Sequence, residues 1–356
     1  MTGADVRRLA LACGFELAGV APASPAGGAE SYHAWLQAGF AGGMDYLAGH
    51  RAALRGGPRS LLGSARSVIC VGKLYNAPHP YSTCFDAAEL AWISRYAWGE
   101  DYHRVLRAGL RRLDTRLRDA VGAPFDSRIC VDTAPLLERT YARLAGLGWI
   151  GKNTCLINQP QGSWFFLGEL LVSLEIAPDA PPPDRCGSCR RCIDACPTQA
   201  IVPLQGHHAV DSRLCISYLT IELRGAVPDG HRAGNGGHVF GCDICQDVCP
   251  WNRRAPVTAD MAFHPLHLAP PLERLAALRE DEFRDLFGAS PVWRARYTGF
   301  LRNVAIAMGN RGLPQFRAPL EKLAASADVL VAQHARWALG KLADPLPAAA
   351  PPGSSV

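Results

Sequence analysis

The chain predicts a mixed α/β domain, then a compact cysteine-rich module, then a helical C-terminal region. Three observations carry that prediction. Short apolar runs and helix-spaced leucines alternate through residues 1–178. Seven of the thirteen cysteines fall in two runs, each ending in Cys-Pro, within residues 184–256. Beyond Pro256 the sequence is helical apart from proline-marked breaks, giving a region at 257–346 and a disordered tail at 347–356.

The elements of the first domain follow from their patterns. Ser67 to Leu74, SVICVGKL, is a short apolar run suited to a buried strand. Leu106, Leu110, Leu113 and Leu117 recur at helical spacing, with arginines on the other faces. Ser127 to Val131 predicts another strand, ending at Asp132, and Pro135 suits the first turn of the next helix. Trp164 to Ile176 is strongly apolar, and Pro181, Pro182 and Pro183 then stiffen the joint to the cysteine module. In the last region LRNVAIAMGN (Leu301–Asn310) and AQHARWALG (Ala332–Gly340) resemble each other, a hint of stacked helical repeats that coincidence also explains.

Composition narrows the classes. With 48% hydrophobic and 19% charged residues the chain is globular, and no apolar run is long enough to cross a bilayer. Met1 to Leu11 does not read as a signal peptide, and thirteen cysteines suit a reducing setting, so a cytoplasmic location without membrane contact is expected. The formal charge of +5 permits a nucleic-acid partner without demanding one. Arg104, Arg107, Arg111, Arg112, Arg116 and Arg118 form one basic group, and Arg294, Arg296, Arg302, Arg311, Arg317 and Lys322 a second. Solvated helix faces and phosphate contacts both explain such groups.

The cysteines carry the most specific chemistry. Cys186, Cys189, Cys192 and Cys196, followed by Pro197, have the C-x2-C-x2-C-x3-C-P spacing of an iron–sulfur ligand set. Cys242, Cys245 and Cys249 repeat its last three positions, but Val239 stands where the first cysteine belongs. Cys215 is the candidate for the missing thiolate. In two-cluster ferredoxins the fourth cysteine of a run crosses to the other centre. That wiring gives one four-iron site from Cys186, Cys189, Cys192 and Cys249, and another from Cys196, Cys215, Cys242 and Cys245. A pair of zinc sites is the alternative use of such spacings. Cys13, Cys70, Cys84, Cys130 and Cys155 read as packed or incidental thiols.

What receives the electrons is less direct. No GxGxxG follows the early strands and no P-loop is present. Asp132 ends an apolar strand, where desolvation would raise its pKa and make it a proton donor; a helix cap is the competing role. The blocks YAWGEDYH, VDTAPLLER, GLGWIGKNTCL, CISYLTIELRG and FGCDICQDVCPWN, with the first cysteine run, together resemble the epoxyqueuosine reductase family. The resemblance covers nearly the whole chain. It implies an α/β cobalamin-binding reductase core related to reductive dehalogenases, a ferredoxin-like module with two [4Fe-4S] clusters and a HEAT-like helical region contacting tRNA. It also implies reduction of the epoxide of epoxyqueuosine at the tRNA wobble position to queuosine.

Carried onto this chain, the resemblance makes Asp132 the catalytic acid and places Arg55, Tyr96, Asp132, Ser217, Tyr218 and Thr220 around the corrin, with Lys152 and Asn153 as further candidates. His103 reads as a packing or hydrogen-bonding residue rather than a cobalt ligand. The implied partners are tRNA carrying epoxyqueuosine and an external electron donor such as a flavodoxin or ferredoxin system. A monomer is compatible with all of this. The helical region holds fewer repeats than longer members of the family, which leaves the extent of tRNA contact open. A corrinoid reductase acting on a small molecule, such as a dehalogenase, would share the core. A bare electron carrier would have no use for residues 1–178.

Overall fold

The computed structural model describes residues 1–343 except Asp86 and His267. The expected tail at 347–356 lies outside the described residues, as do the last positions of the 257–346 span. The first domain is built on α1 (Gly3–Ala12), β1 (Leu17–Pro22), β2 (Ser67–Leu74), α2 (Tyr102–Val121), β3 (Ser127–Cys130), α3 (Glu138–Leu144) and β4 (Phe165–Val172). The four strands form one sheet in the order β1-β2-β4-β3, with every neighbouring pair antiparallel.

This sheet is covered on both faces, which is why β2 and β4 read as continuous apolar runs instead of alternating ones. Ile69, Val71, Leu170 and Val172 meet α1 and the Leu106–Leu117 stripe of α2 on one face. Val68, Cys70 and Leu171 meet Tyr141 and Ala142 of α3 on the other. Each fully buried leucine of that stripe contributes about 1.5–3 kcal/mol. Gly109 lets α2 lie against Phe15, since a Cβ there would stand 2.7 Å from the ring. Asp101 caps α2 and left-handed Gly122, with φ 66°, ends it.

Two local expectations change. Asp132 caps no helix: α3 begins only at Glu138, so Pro135 lies before its first turn. The strand before it stops at Cys130.

The cysteine-rich module contains α4 (Arg191–Asp194), a hairpin of β5 (Ile201–Leu204) and β6 (His207–Val210), α5 (Ile216–Ile221) and α6 (Ile244–Asp247). Asp243, buried between Cys242 and Cys245, fastens it to the first domain. Its carboxylate accepts from Trp92 Nε1, Ser94 Oγ and Arg95 N at 3.1, 2.5 and 2.8 Å.

The last region centres on α7 (Tyr297–Arg311), buried at every position from Gly299 to Gly309, with α8 (Val329–Ala343) along it. The two similar segments meet at their small residues, where a Cβ on Gly309 would lie 2.8 Å from Ala338 Cα. Its core also takes in Ala91, Trp92, Ile93 and Trp98, so burial runs across the boundary between the first and last sequence regions. Trp293 and Tyr297 pack on Phe283. Among the described residues no helix is long and apolar enough to cross a membrane.

Candidate functional site

Asp132 stands two residues beyond β3, where the chain leaves the sheet. Its φ of 49° is left-handed, a conformation costing a β-carbon residue about 1–3 kcal/mol unless its surroundings fix it. The surroundings do so. The Glu138 carboxylate accepts the Asp132 backbone N–H at 2.5 Å. At the next residue, Arg51 donates to the Thr133 carbonyl and Arg107 to its hydroxyl.

The Asp132 side chain, about half exposed, ends a chain of charges. Asp101 Oδ1 accepts both the backbone N–H of His103, at 2.9 Å, and its Nδ1, at 2.8 Å. His103 Nε2 lies 3.1 Å from Asp132 Oδ2. The Asp101 bond and then the Asp132 bond push His103 up to about 9, so the imidazole is protonated and donates from both nitrogens at neutral pH. Burial pushes the Asp132 carboxyl up, as expected. The His103 hydrogen bond and charge, with a hydrogen bond from Tyr102, outweigh it and hold Asp132 below the ordinary range. The expectation of a raised Asp132 is therefore corrected: the proton of this pair rests on His103.

Behind the loop lies a second acid pair. Glu169 is fully buried on β4, opposite Cys70 on one side and Cys130 on the other. Neither of its oxygens meets an N–H donor among the described residues, and its polar neighbour is Glu138. Burial and the Glu138 charge push Glu169 far up, while burial and Asp132 push Glu138 up to about 7.

Around the opening stand Tyr46, Tyr96 and the ion pair Arg294–Glu222, whose Nη2 to Oε2 distance is 3.0 Å. Arg294 Nη2 also donates to Tyr46 Oη at 3.2 Å. Asp132 acts electrostatically on Tyr46, Tyr96 and Arg294, so residues of the first and last regions gather around it. Tyr102, Glu138 and Glu222 lie in quoted sequence blocks, yet their roles depend on folds of the chain that no local pattern reveals.

The cysteines separate into two groups. Cys186, Cys189, Cys192 and Cys249 line one cavity of about 250 Å³, together with Lys152, Arg185, Arg191 and Trp251. Cys196, Cys215, Cys242 and Cys245 form the other, near enough for their charges to act on one another. Backbone N–H groups aim at sulfur in the second group: Ala200 to Cys196 Sγ at 3.3 Å, and Ser217 and Tyr218 to Cys215. Convergent soft donors with N–H groups trained on them fit an anionic iron–sulfur core. Cys155, expected outside the ligand sets, lies close enough to Cys245 for each thiol to shift the other.

The other predicted residues divide. Tyr96 faces Asp132, and a Cβ on Gly241, beside Cys242, would lie 3.6 Å from its ring. Ser217 sits at the Cys215 turn, and the Tyr218 hydroxyl accepts from Gly43 N at 2.7 Å. Thr220 has no exposed surface; its hydroxyl donates to Ile216 O and accepts from Gly241 N. Lys152 is used on the first cysteine loop, donating to Gly187 O and Cys189 O at 2.7 and 2.9 Å. Asn153 donates to Cys245 O. Arg55 is buried over Tyr32 and donates to Arg51 O; Arg51, not Arg55, reaches the Asp132 loop. Arg302 leaves the expected basic surface altogether, being buried and bonded to the carbonyls of Leu219, Leu223 and Gly225.

Comparison with known proteins places the chain in a family. Residues 185–252 match a family model described as a 4Fe-4S double cluster binding domain, and residues 55–133 match one described as Epoxyqueuosine reductase QueG, DUF1730. The chain is 41% identical to epoxyqueuosine reductase of Xanthomonas campestris over 95% of both chains. It is 37% identical to that of Escherichia coli over 94% of this chain and 88% of the other. An epoxyqueuosine reductase crystallised with an epoxyqueuosine-modified tRNA-Tyr stem loop superposes with a TM-score of 0.86 at 27% identity, over 95% of this chain and 89% of that one. The Streptococcus thermophilus enzyme superposes at 0.83 and 28% identity, over 97% and 91%. The chain belongs to the epoxyqueuosine reductase family.

Proposed function

We propose that this protein reduces the epoxide of epoxyqueuosine in the tRNA wobble position to the alkene of queuosine, drawing electrons through two [4Fe-4S] clusters and a bound cobalamin. The observation that carries the reading is the Asp101–His103–Asp132 chain, which brings a protonated imidazole to a half-exposed carboxylate in the cleft beside the second cysteine group. Relatives of this name, one solved with a modified tRNA stem loop, support the substrate.

In this reading Cys186, Cys189, Cys192 and Cys249 hold one cluster and Cys196, Cys215, Cys242 and Cys245 the other. Both ring nitrogens of His103 are engaged by carboxylates, so His103 would serve the proton and not the metal of a bound cobalamin. Tyr96, Asp132 and Ser217 would stand nearest it, with Arg55, Lys152, Asn153, Tyr218 and Thr220 fixing the segments behind. Bound cobalamin supplies a strongly reducing metal that the protein itself lacks. The last region extends this as a HEAT-like support for the anticodon arm, with the exposed Arg296, Arg317 and Lys322 available to phosphates.

The chain's own work is proton delivery. Opening an epoxide to an alkene consumes two electrons and two protons and releases water. An alkoxide leaving without a proton is costly, so an acid at its oxygen lowers the barrier. Asp132 touches that oxygen, and the proton comes from His103 Nε2, which Asp101 keeps charged from its other side. Tyr102 holds the carboxylate in place through its hydroxyl. The test is anaerobic incubation of the protein, with clusters and cobalamin loaded, with reductant and epoxyqueuosine tRNA, followed by mass spectrometry of the digested nucleosides. Queuosine is expected; unchanged epoxyqueuosine defeats the reading.

A further inference from the structure

The two cysteine groups differ in access to solvent. Cys189 is exposed, as are Arg185, Arg190 and Arg191 around it, whereas the second group has no exposed cysteine and stands beside Tyr96. An electron bound for the Asp132 cleft therefore enters through the cavity of Cys186, Cys189, Cys192 and Cys249.

The charge at that entrance has one sign. Arg185, Arg191 and Lys152 line the cavity itself. Lys152 is pinned there by two backbone carbonyls, so its ammonium stays beside the cysteine loop. Nearby carboxylates are spent locally: Asp184 accepts the Cys186 N–H at 2.7 Å, and Asp194 pairs with Arg190 at 3.4 Å. Arg185 and Arg191 have no carboxylate partner among the described residues. The same positive field reaches His208, whose pKa is lowered by burial and then by the Lys152 and Arg190 charges.

Resting on the proposed function, we infer that this face is the docking surface of a small acidic electron-carrier protein. A basic ring around an exposed redox entrance steers an acidic partner and orients its own centre toward the cavity. Among the described residues the ring holds no large exposed apolar side chain. The encounter is accordingly polar, transient and salt-sensitive, as redox encounters are. RNA phosphates would also favour arginines, but the tRNA must present its wobble base at Asp132, whereas only an electron donor gains from approaching the cysteine cavity.

The test uses the cluster-loaded protein and a combined Arg185→Gln, Arg190→Gln, Arg191→Gln variant. Cluster reduction is followed anaerobically by stopped-flow absorbance, with reduced flavodoxin or with reduced methyl viologen, a small cation that needs no docking surface. The second-order rate with flavodoxin should fall about tenfold or more and lose most of its salt dependence. Iron content and binding of an epoxyqueuosine stem loop should be unchanged, and the methyl viologen rate, which the positive ring opposes, should not fall. A triple lysine replacement should restore most of the flavodoxin rate. If the glutamine variant loses iron, Arg185→Gln alone, outside the cysteine run, serves in its place. An unchanged flavodoxin rate overturns the inference, as does weakened stem-loop binding with carrier reduction intact. If wild-type protein reduced by methyl viologen leaves epoxyqueuosine untouched, the functional reading fails instead.

Discussion

In the proposed reaction Asp132 and His103 divide one task between them. Asp132 has the position but not the proton, since its carboxyl is held low, while His103 has the proton but reaches the cleft only through Asp132. Asp132→Ala should lower kcat by about 10²–10⁴-fold while leaving iron content intact, as measured in single-turnover reactions. The pair also sets a pH limit. His103 is raised from 6.5 to about 9, so wild-type turnover should fall as pH rises through about 9, and His103→Gln should lose that limb. The same groups bear on stability. The His103 contribution is complete below 6.5 and lost as pH rises through about 9. Asp101 and Asp132, both lowered, contribute above 3.8 and cease to as pH falls through their depressed values. Thermal melts across pH should show this shoulder in wild type and not in His103→Gln.

At the scale of elements, legibility tracked how local the forces are. β2 and the α2 stripe could be read because burial on both sheet faces and helical spacing leave their marks in consecutive residues. The Asp132 turn could not, because its left-handed backbone is fixed by Glu138 six residues on and by Arg51 from a distant helix. Arg302 was misread as surface charge for a related reason. Its helix is buried all round, and a segment as apolar as LRNVAIAMGN has no polar face on which an arginine could sit. There the guanidinium serves three carbonyls at and beyond the end of α5, the helix that begins at Cys215. Arg302→Ala should orphan those carbonyls, destabilise the protein by about 3 kcal/mol or more, and loosen the Cys215 turn. Calorimetry with iron analysis checks both effects: a lower melting temperature accompanied by lost iron.

Over the whole molecule, spacing together with Cys215 pointed to the two groups of cysteines that the fold brings together, whereas their access to solvent was not legible. Only the fold shows that Cys189 of the first group is exposed and that the second group stands beside Tyr96. Cys215→Ala should cost about four irons per chain and stop turnover, while the exposed centre stays reducible. The central claim, that this cleft opens a tRNA-bound epoxide with Asp132 as its acid, has a direct measurement. It is single-turnover mass spectrometry of epoxyqueuosine tRNA, comparing chemically reduced wild type with Asp132→Ala. The account predicts queuosine from the wild type and almost none from the variant in the same time. Epoxyqueuosine persisting with the fully loaded wild type, or equal conversion by the two proteins, would contradict it.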